Sequence, residues 1–251
     1  MILIRIALVA CLLIGEAPAP TSVPASAPAV ERYTWRREHD PDGIGKFYMG
    51  REIAHVMGHE GADWLERSER EAEEAPSRLI ESLELRDTDV VADIGAGSGY
   101  FTVRIAPRVS RGRVKAVDIQ PEMLDLLARR LQREQIGNVD LILGRADDPR
   151  LEPASVDLAL LVDVYHEFEY PYEMMTRIRE ALRPGGRVVL VEYRLEDPTV
   201  PIKRVHKMSE RQAIREMQAV GLRHMRTIGV LPRQHILIFS KELPASSRAG
   251  E

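Results

Sequence analysis

Within Val90-Val91-Ala92-Asp93-Ile94-Gly95-Ala96-Gly97-Ser98-Gly99-Tyr100 an apolar strand breaks into three alternate glycines and then opens a helix. No other stretch limits the fold so tightly. Glycines at such a turn let the backbone take positive φ and approach a ligand that a Cβ would hold off, while unpaired N–H groups at the helix start face the ligand's polar part. A dinucleotide fingerprint spaces its glycines G-x-G-x-x-G, the third packing helix on strand. Here they fall G-x-G-x-G and Tyr100 follows. Asp93 stands just before the turn, placed to accept hydrogen bonds from a cationic amine. The turn therefore favours a cofactor with an amino-acid end over one with a pyrophosphate.

This segment resembles motif I of class I S-adenosylmethionine-dependent methyltransferases, and residues 83 to 241 repeat that family's order of elements. The resemblance implies S-adenosylmethionine as cofactor and an α/β fold. That fold is a Rossmann-like, seven-stranded, mostly parallel sheet with an antiparallel last strand, helices on both faces and a small N-terminal helical lid. It assigns Asp93, Gly95, Ala96, Gly97 and Gly99 to the cofactor. Arg113–Asp118 reads as a second strand ending in an acid, roughly 20 residues past the glycines, where a ribose-binding carboxylate belongs. Asp118 is expected to hold the ribose hydroxyls, with Ile119 beside it in the cofactor site. Pro121 opens a helix on which Met123, Leu124, Leu127 and Leu131 share a face. After a third strand, Val139–Leu143, relatives carry an acid that meets the adenine amino group; here Arg145 follows the glycine directly, so Asp147 takes that assignment.

Val156–Val162 is almost continuously apolar, as a strand buried on both faces would be. It delivers Asp163-Val164-Tyr165-His166-Glu167-Phe168 to the sheet edge where open α/β folds bind ligands. This resembles the family's motif IV, which faces the methyl group and the acceptor. Asp163 is assigned to the cofactor, His166 to proton transfer and Tyr165 to orienting the acceptor. The alternative for His166 is a hydrogen-bonded loop residue that shapes the pocket. Met174, Met175, Ile178 and Leu182 form the next helix stripe, Arg183-Pro184-Gly185-Gly186 stops it, and Arg187–Glu192 is a fifth strand. Ser209 with Gln212 predicts a capping box for a helix ending at Gly221. Two strands, around Met225–Val230 and Ile236–Phe239, close the fold.

Residues 1–30 read as a leader and linker. One charge, Arg5, precedes the apolar run Ile6–Ile14, which is too short to span a bilayer, and an Ala/Pro/Ser stretch follows. Leu8-Val9-Ala10-Cys11 looks like a bacterial lipobox in which Cys11 is lipidated, the one route to membrane attachment. Cleavage near Ala25 or Ala29, and an unused leader, are the alternatives. Localisation is accordingly exported, periplasmic or lipoprotein-anchored if the leader works, and cytoplasmic otherwise. The domain reading is then 31–82 as a helical cap, 83–243 as the methyltransferase domain and 244–251 as a tail. In the cap, His55 and His59 are four apart, but Gly58 between them weakens a helix, so no metal ligand set is read there. Acceptor contact or lid packing is expected of His55, His59 and Trp64.

Composition narrows the acceptor. Net charge is −4 over 251 residues with both signs interspersed, which gives no basic surface for nucleic acid. Cys11 is the single cysteine, so chemistry that needs thiols in the folded part is excluded. A small-molecule acceptor is the remaining expectation. A non-catalytic S-adenosylmethionine-binding domain and, more distantly, a Rossmann-type oxidoreductase are the alternatives.

Overall fold

The computed structural model describes residues 31–241. The leader, Cys11 and the tail lie outside the described residues.

Residues 33–54, expected in a helical cap, form instead an antiparallel sheet of β1 (Tyr33–Trp35), β2 (Gly43–Tyr48) and β3 (Arg51–Ala54), in that order. The reason is local. Gly43 and Gly45 disfavour a helix, and Met49 and Gly50 both take positive φ, 48° and 89°, in the two-residue turn that pairs Tyr48 with Arg51. Such turns match the twist of a hairpin. Helix enters only afterwards, as a 3-10 turn at His59–Gly61, then α1 (Ala62–Leu65), α2 (Arg70–Glu74) and α3 (Pro76–Ser82).

The main sheet comprises β4 (Val90–Ile94), β5 (Arg113–Asp118), β6 (Val139–Leu143), β7 (Val156–Val162), β8 (Leu182–Tyr193), β9 (Leu222–Ile228) and β10 (Gln234–Lys241). Their order is β6-β5-β4-β7-β8-β10-β9. The first five are parallel, and β10 runs antiparallel to both β8 and β9. This is the mostly parallel Rossmann-like sheet that the sequence implies. Strand β8 begins earlier than expected, because Leu182, placed on the preceding helix by its spacing, pairs with Val156.

The remaining helices are α4 (Thr102–Ile105), α5 (Pro121–Glu134), α6 (Pro171–Ala181) and α7 (Glu210–Ala219). Alternate residues of β7 serve opposite faces. Ala159 and Leu161 pack with Met174, Met175 and Ile178 of α6 and Met217 of α7. Leu158 and Leu160 pack with Leu79 and Ile80 of α3 and Ile105 of α4. Only half of the capping box at α7 forms: Ser209 Oγ accepts from the Gln212 N–H at 3.2 Å, while the Gln212 side chain turns to Glu216. Strands β5 and β6 step to one side of β4, and β7 and β8 to the other. The point of reversal opens a crevice at the carboxyl ends of the strands, where doubly wound sheets take their ligands.

Candidate active site

A cavity of about 500 Å³ occupies that crevice, with Gly95, Gly97, Asp118, Ile119, Ala146 and Asp163 on its wall. Gly97 has φ 55°, and a Cβ there would meet Leu65 Cδ1 at 2.9 Å. Its N–H donates to Asp118 Oδ2 at 2.9 Å, and the Gln120 N–H donates to Oδ1 at 2.9 Å. Burial pushes the Asp118 pKa up, and these two N–H groups pull it partly back. The result is a carboxylate fixed by backbone donors at the end of β5, with lone pairs left for hydroxyls. From the segment before the sheet, Val56, Met57, Trp64, Leu65 and Arg70 also line the cavity. Met57 is tied down at both ends of its peptide: its C=O accepts from Gln120 Nε2 at 2.9 Å, and its N–H donates to Glu167 at 3.3 Å.

Five residues assigned from sequence lie off the wall of this cavity. The Asp93 carboxylate is buried under the turn and accepts from Thr102 Oγ1 at 2.6 Å. Ala96 packs with Val103, Leu127 and Leu131. Gly99, at φ 84°, is required by α5, since a Cβ would stand 2.2 Å from Leu127 Cδ1. Asp147 opens into a separate cleft with Arg145, Asp148 and Glu173, and it is Ala146 that lines the crevice. Tyr165, assigned to the acceptor, is 1% exposed and points the other way: its hydroxyl donates to Glu216 Oε2 at 2.7 Å, and Arg51 holds the same carboxylate with two bonds of 2.9 Å. Burial, Glu216 and the missing path to solvent keep that phenol protonated. His55 and His59 also lie off the cavity wall, His55 exposed on the loop after β3.

Asp163 follows β7 in a left-handed conformation, φ 49°. Its Oδ2 accepts from Gln234 Nε2 at 2.5 Å, while Oδ1 is buried without any partner. Burial first, then the nearby charges of Glu74 and Glu192, raise its pKa well above the usual carboxylate range. An unpartnered buried acceptor is costly. On the same cavity is Arg70, whose guanidinium donates to Glu74 Oε2 at 2.8 Å and to the Leu65 carbonyl at 2.8 Å. The sequence reading missed Arg70, which sits in a charge-rich five-residue helix with no stripe to single it out.

His166 is buried on the opposite side of the turn from Tyr165. Its Nδ1 faces Glu192 Oε2 at 2.6 Å, its Nε2 faces His206 Nδ1 at 3.2 Å, and the other oxygen of Glu192 accepts from the Tyr165 N–H at 3.0 Å. Burial pulls the His166 pKa down, but the charge and hydrogen bond of Glu192 outweigh it, so the net shift is upward. Burial and the neighbouring His166 lower His206 to about 4. Glu167 is pushed up to about 7, chiefly by burial. Glu192 and His206 were also missed. An acid ending the apolar run of β8 was a visible signal for the first; His206 lies in the basic stretch Lys203, Arg204, His206 and Lys207, which reads first as a solvated loop and second as a contact for an acidic acceptor.

Residues 91–186 match the family model described as "Methyltransferase domain". Over 123 residues the chain is 39% identical to an uncharacterised methyltransferase-like protein of Schizosaccharomyces pombe, covering 49% of this chain and 45% of that one. It is 31% identical over 113 residues to a protein-L-isoaspartate O-methyltransferase of Methanothrix thermoacetophila, covering 45% and 51%. The chain thus spans about half the length of the curated relatives it matches. Among solved structures, a SAM-dependent methyltransferase from Aquifex aeolicus superposes with TM-score 0.69 at 18% identity, over 73% of this chain and 98% of that one. The [4+2]-cyclase SpnF superposes with TM-score 0.60 at 15% identity, over 68% and 83%. A fold shared with a cyclase does not by itself name a reaction. Residues 91–186 thus resemble a methyltransferase domain, carried on the Rossmann-like fold of the solved S-adenosylmethionine-dependent methyltransferase.

Proposed function

We propose that the chain transfers a methyl group from S-adenosylmethionine to a small nucleophilic acceptor held on the β7–β8 side of the crevice. The unpartnered Asp163 oxygen, sharing one cavity with Asp118, Gly97 and Arg70, carries this reading. When bound, the cofactor supplies an electrophilic methyl group on a positively charged sulfur. Ile119 and Ala146, on the loops after β5 and β6, give the base an apolar bed. Asp118 takes the ribose hydroxyls, Asp163 Oδ1 the ammonium and Arg70 the carboxylate of the amino-acid end. Four acidic side chains, Asp118, Asp163, Glu167 and Glu169, line the cavity with two basic ones, Arg70 and Lys203, a balance that favours a sulfonium cation.

Displacement at the methyl carbon asks the protein mainly for alignment and exclusion of water. Met57, Trp64 and Leu65 cover the crevice for that purpose. His166, its Nδ1 committed to Glu192, presents Nε2 to the acceptor side, where His206, Glu167 and Ile202 complete the wall.

The test is transfer of label from methyl-labelled S-adenosylmethionine to a panel of phenols, amines and carboxylates, alongside calorimetric titration of S-adenosylhomocysteine. Wild type is expected to bind the product and methylate one class; Asp118→Ala loses both. His166→Ala keeps the product affinity and loses about 100-fold or more in kcat. Product binding with no transfer to any class would instead make this a non-catalytic cofactor-binding domain, and absence of binding would remove both readings.

A further inference from the structure

The acceptor side of the cavity gathers three metal-ligating groups that lie far apart in sequence. His166 and Glu167 come from the turn after β7, and His206 from the loop after β8. One ligand atom from each, among the described residues, falls within 4.8 Å of the other two. His166 Nε2 and His206 Nδ1 are 3.2 Å apart, and Glu167 Oε1 is 3.9 Å from His166 Nε2. An ion bound by two imidazoles at about 2.0–2.1 Å in tetrahedral or octahedral array sets the nitrogens roughly 2.8–3.4 Å apart. The histidine pair already has that spacing, and Glu167 Oε1 has about half an ångström to close on His166 Nε2.

We propose that His166, Glu167 and His206 bind one divalent first-row transition-metal ion on the wall of the cofactor cavity, where its open positions hold the acceptor. The second clause rests on the methyltransferase reading; the site itself does not. Glu192 orients the His166 ring through Nδ1 at 2.6 Å, leaving Nε2 as the nitrogen with the free lone pair, and a carboxylate behind a ligating histidine is the usual support of a metal site. Two imidazoles with one carboxylate suit zinc, iron(II), cobalt(II) or manganese(II) better than calcium or magnesium, which want oxygen. Three protein ligands leave coordination positions open, and all three residues line the cavity. The competing arrangement is a plain N–H···N hydrogen bond between the rings, which stand at 85° to each other. That bond would involve His166 and His206 alone and would be indifferent to Glu167.

The full chain, stripped with chelator and dialysed, is titrated with Co²⁺ and followed by visible absorption, with Zn²⁺ as competitor. One ion per chain is expected. Loss of a ligand in His206→Ala or Glu167→Gln should weaken binding by at least about tenfold, and Glu192→Gln, behind the ligand, by about 10- to 100-fold. Circular dichroism and urea unfolding midpoints close to wild type certify that each variant is folded. No stoichiometric Co²⁺ binding, or binding of equal strength in His206→Ala and Glu167→Gln, overturns the site. Product binding without Co²⁺ would sink this inference and leave the transferase reading standing; Co²⁺ binding without product binding would do the reverse.

Discussion

Asp93 shows what one residue's burial does to stability. Its identity and place before the glycine turn are plain in the sequence, but its direction is not: the carboxylate turns under the turn to Thr102 instead of out to a ligand. Burial raises its pKa from 3.8 to about 6, against the Thr102 hydrogen bond and with help from Asp118. The folded-state value lies above the unfolded one, so between about pH 4 and pH 6 the native state holds more protons. Stability therefore falls as pH rises through that window, by roughly 3 kcal/mol for a two-unit shift. Asp93→Asn, which retains an acceptor for the Thr102 hydroxyl, should flatten the change in unfolding free energy between pH 4 and pH 7 by about that amount in urea melts. Equal slopes in the two proteins would mean that Asp93 is not the buried acid responsible. The same limit on legibility applies at Tyr165 and His166. They are neighbours in a 3-10 turn over Tyr165–Glu167, and successive side chains there diverge by about a third of a turn. Sequence could bring both to the sheet edge but could not say which one faces the cavity.

Elements with a long, regular pattern were legible, and short ones were not. Strands β5, β6 and β7 and helix α5 follow directly from apolar periodicity bounded by glycine and proline. The β1–β3 sheet escaped because its strands, such as Gly43–Tyr48 and Arg51–Ala54, mix glycines and charges with apolar residues and carry no apolar run like those of β5 to β7. Its anchor to the main domain is equally invisible in sequence. Arg51 of β3 bonds the Glu216 carboxylate of α7 and the His166 carbonyl, and Tyr165 joins the same carboxylate. That network explains a tyrosine beside the proposed active site without giving it a part in the chemistry. Tyr165→Phe should cost about 1–3 kcal/mol of stability, the range for a hydrogen bond to a charged group, measured by chemical denaturation. S-adenosylhomocysteine affinity and kcat should stay near wild type. A large fall in kcat with unchanged stability would return Tyr165 to the acceptor site.

For the molecule as a whole, the reversal of strand order on either side of β4 brings Asp118 from β5, the glycine turn from β4 and Asp163 from β7 to one crevice, though they are widely spaced in the chain. This convergence was readable because the parallel order of such sheets follows from strand and helix alternation. The apposition of Arg70 and His206 was not, since both come from segments outside that alternation. The crevice also concentrates instability. Asp163 combines a left-handed backbone, a buried oxygen with no donor and the repulsion of Glu74 and Glu192, costs that binding of a cationic group at the crevice would relieve. Two opposite effects should therefore follow from Asp163→Asn, which tolerates the same left-handed conformation. Without ligand, the variant should melt at a higher temperature than wild type, because a buried acid held far above its usual pKa is gone. With S-adenosylhomocysteine at 100 times the wild-type Kd, wild type should gain about 2.7 kcal/mol, or roughly 5–10 °C in Tm. The variant should gain much less, having lost the charge that meets the ammonium. A variant with lower Tm and an undiminished ligand shift would show instead that Asp163 orders the loop after β7 and leaves the cofactor's amino-acid end to Arg70.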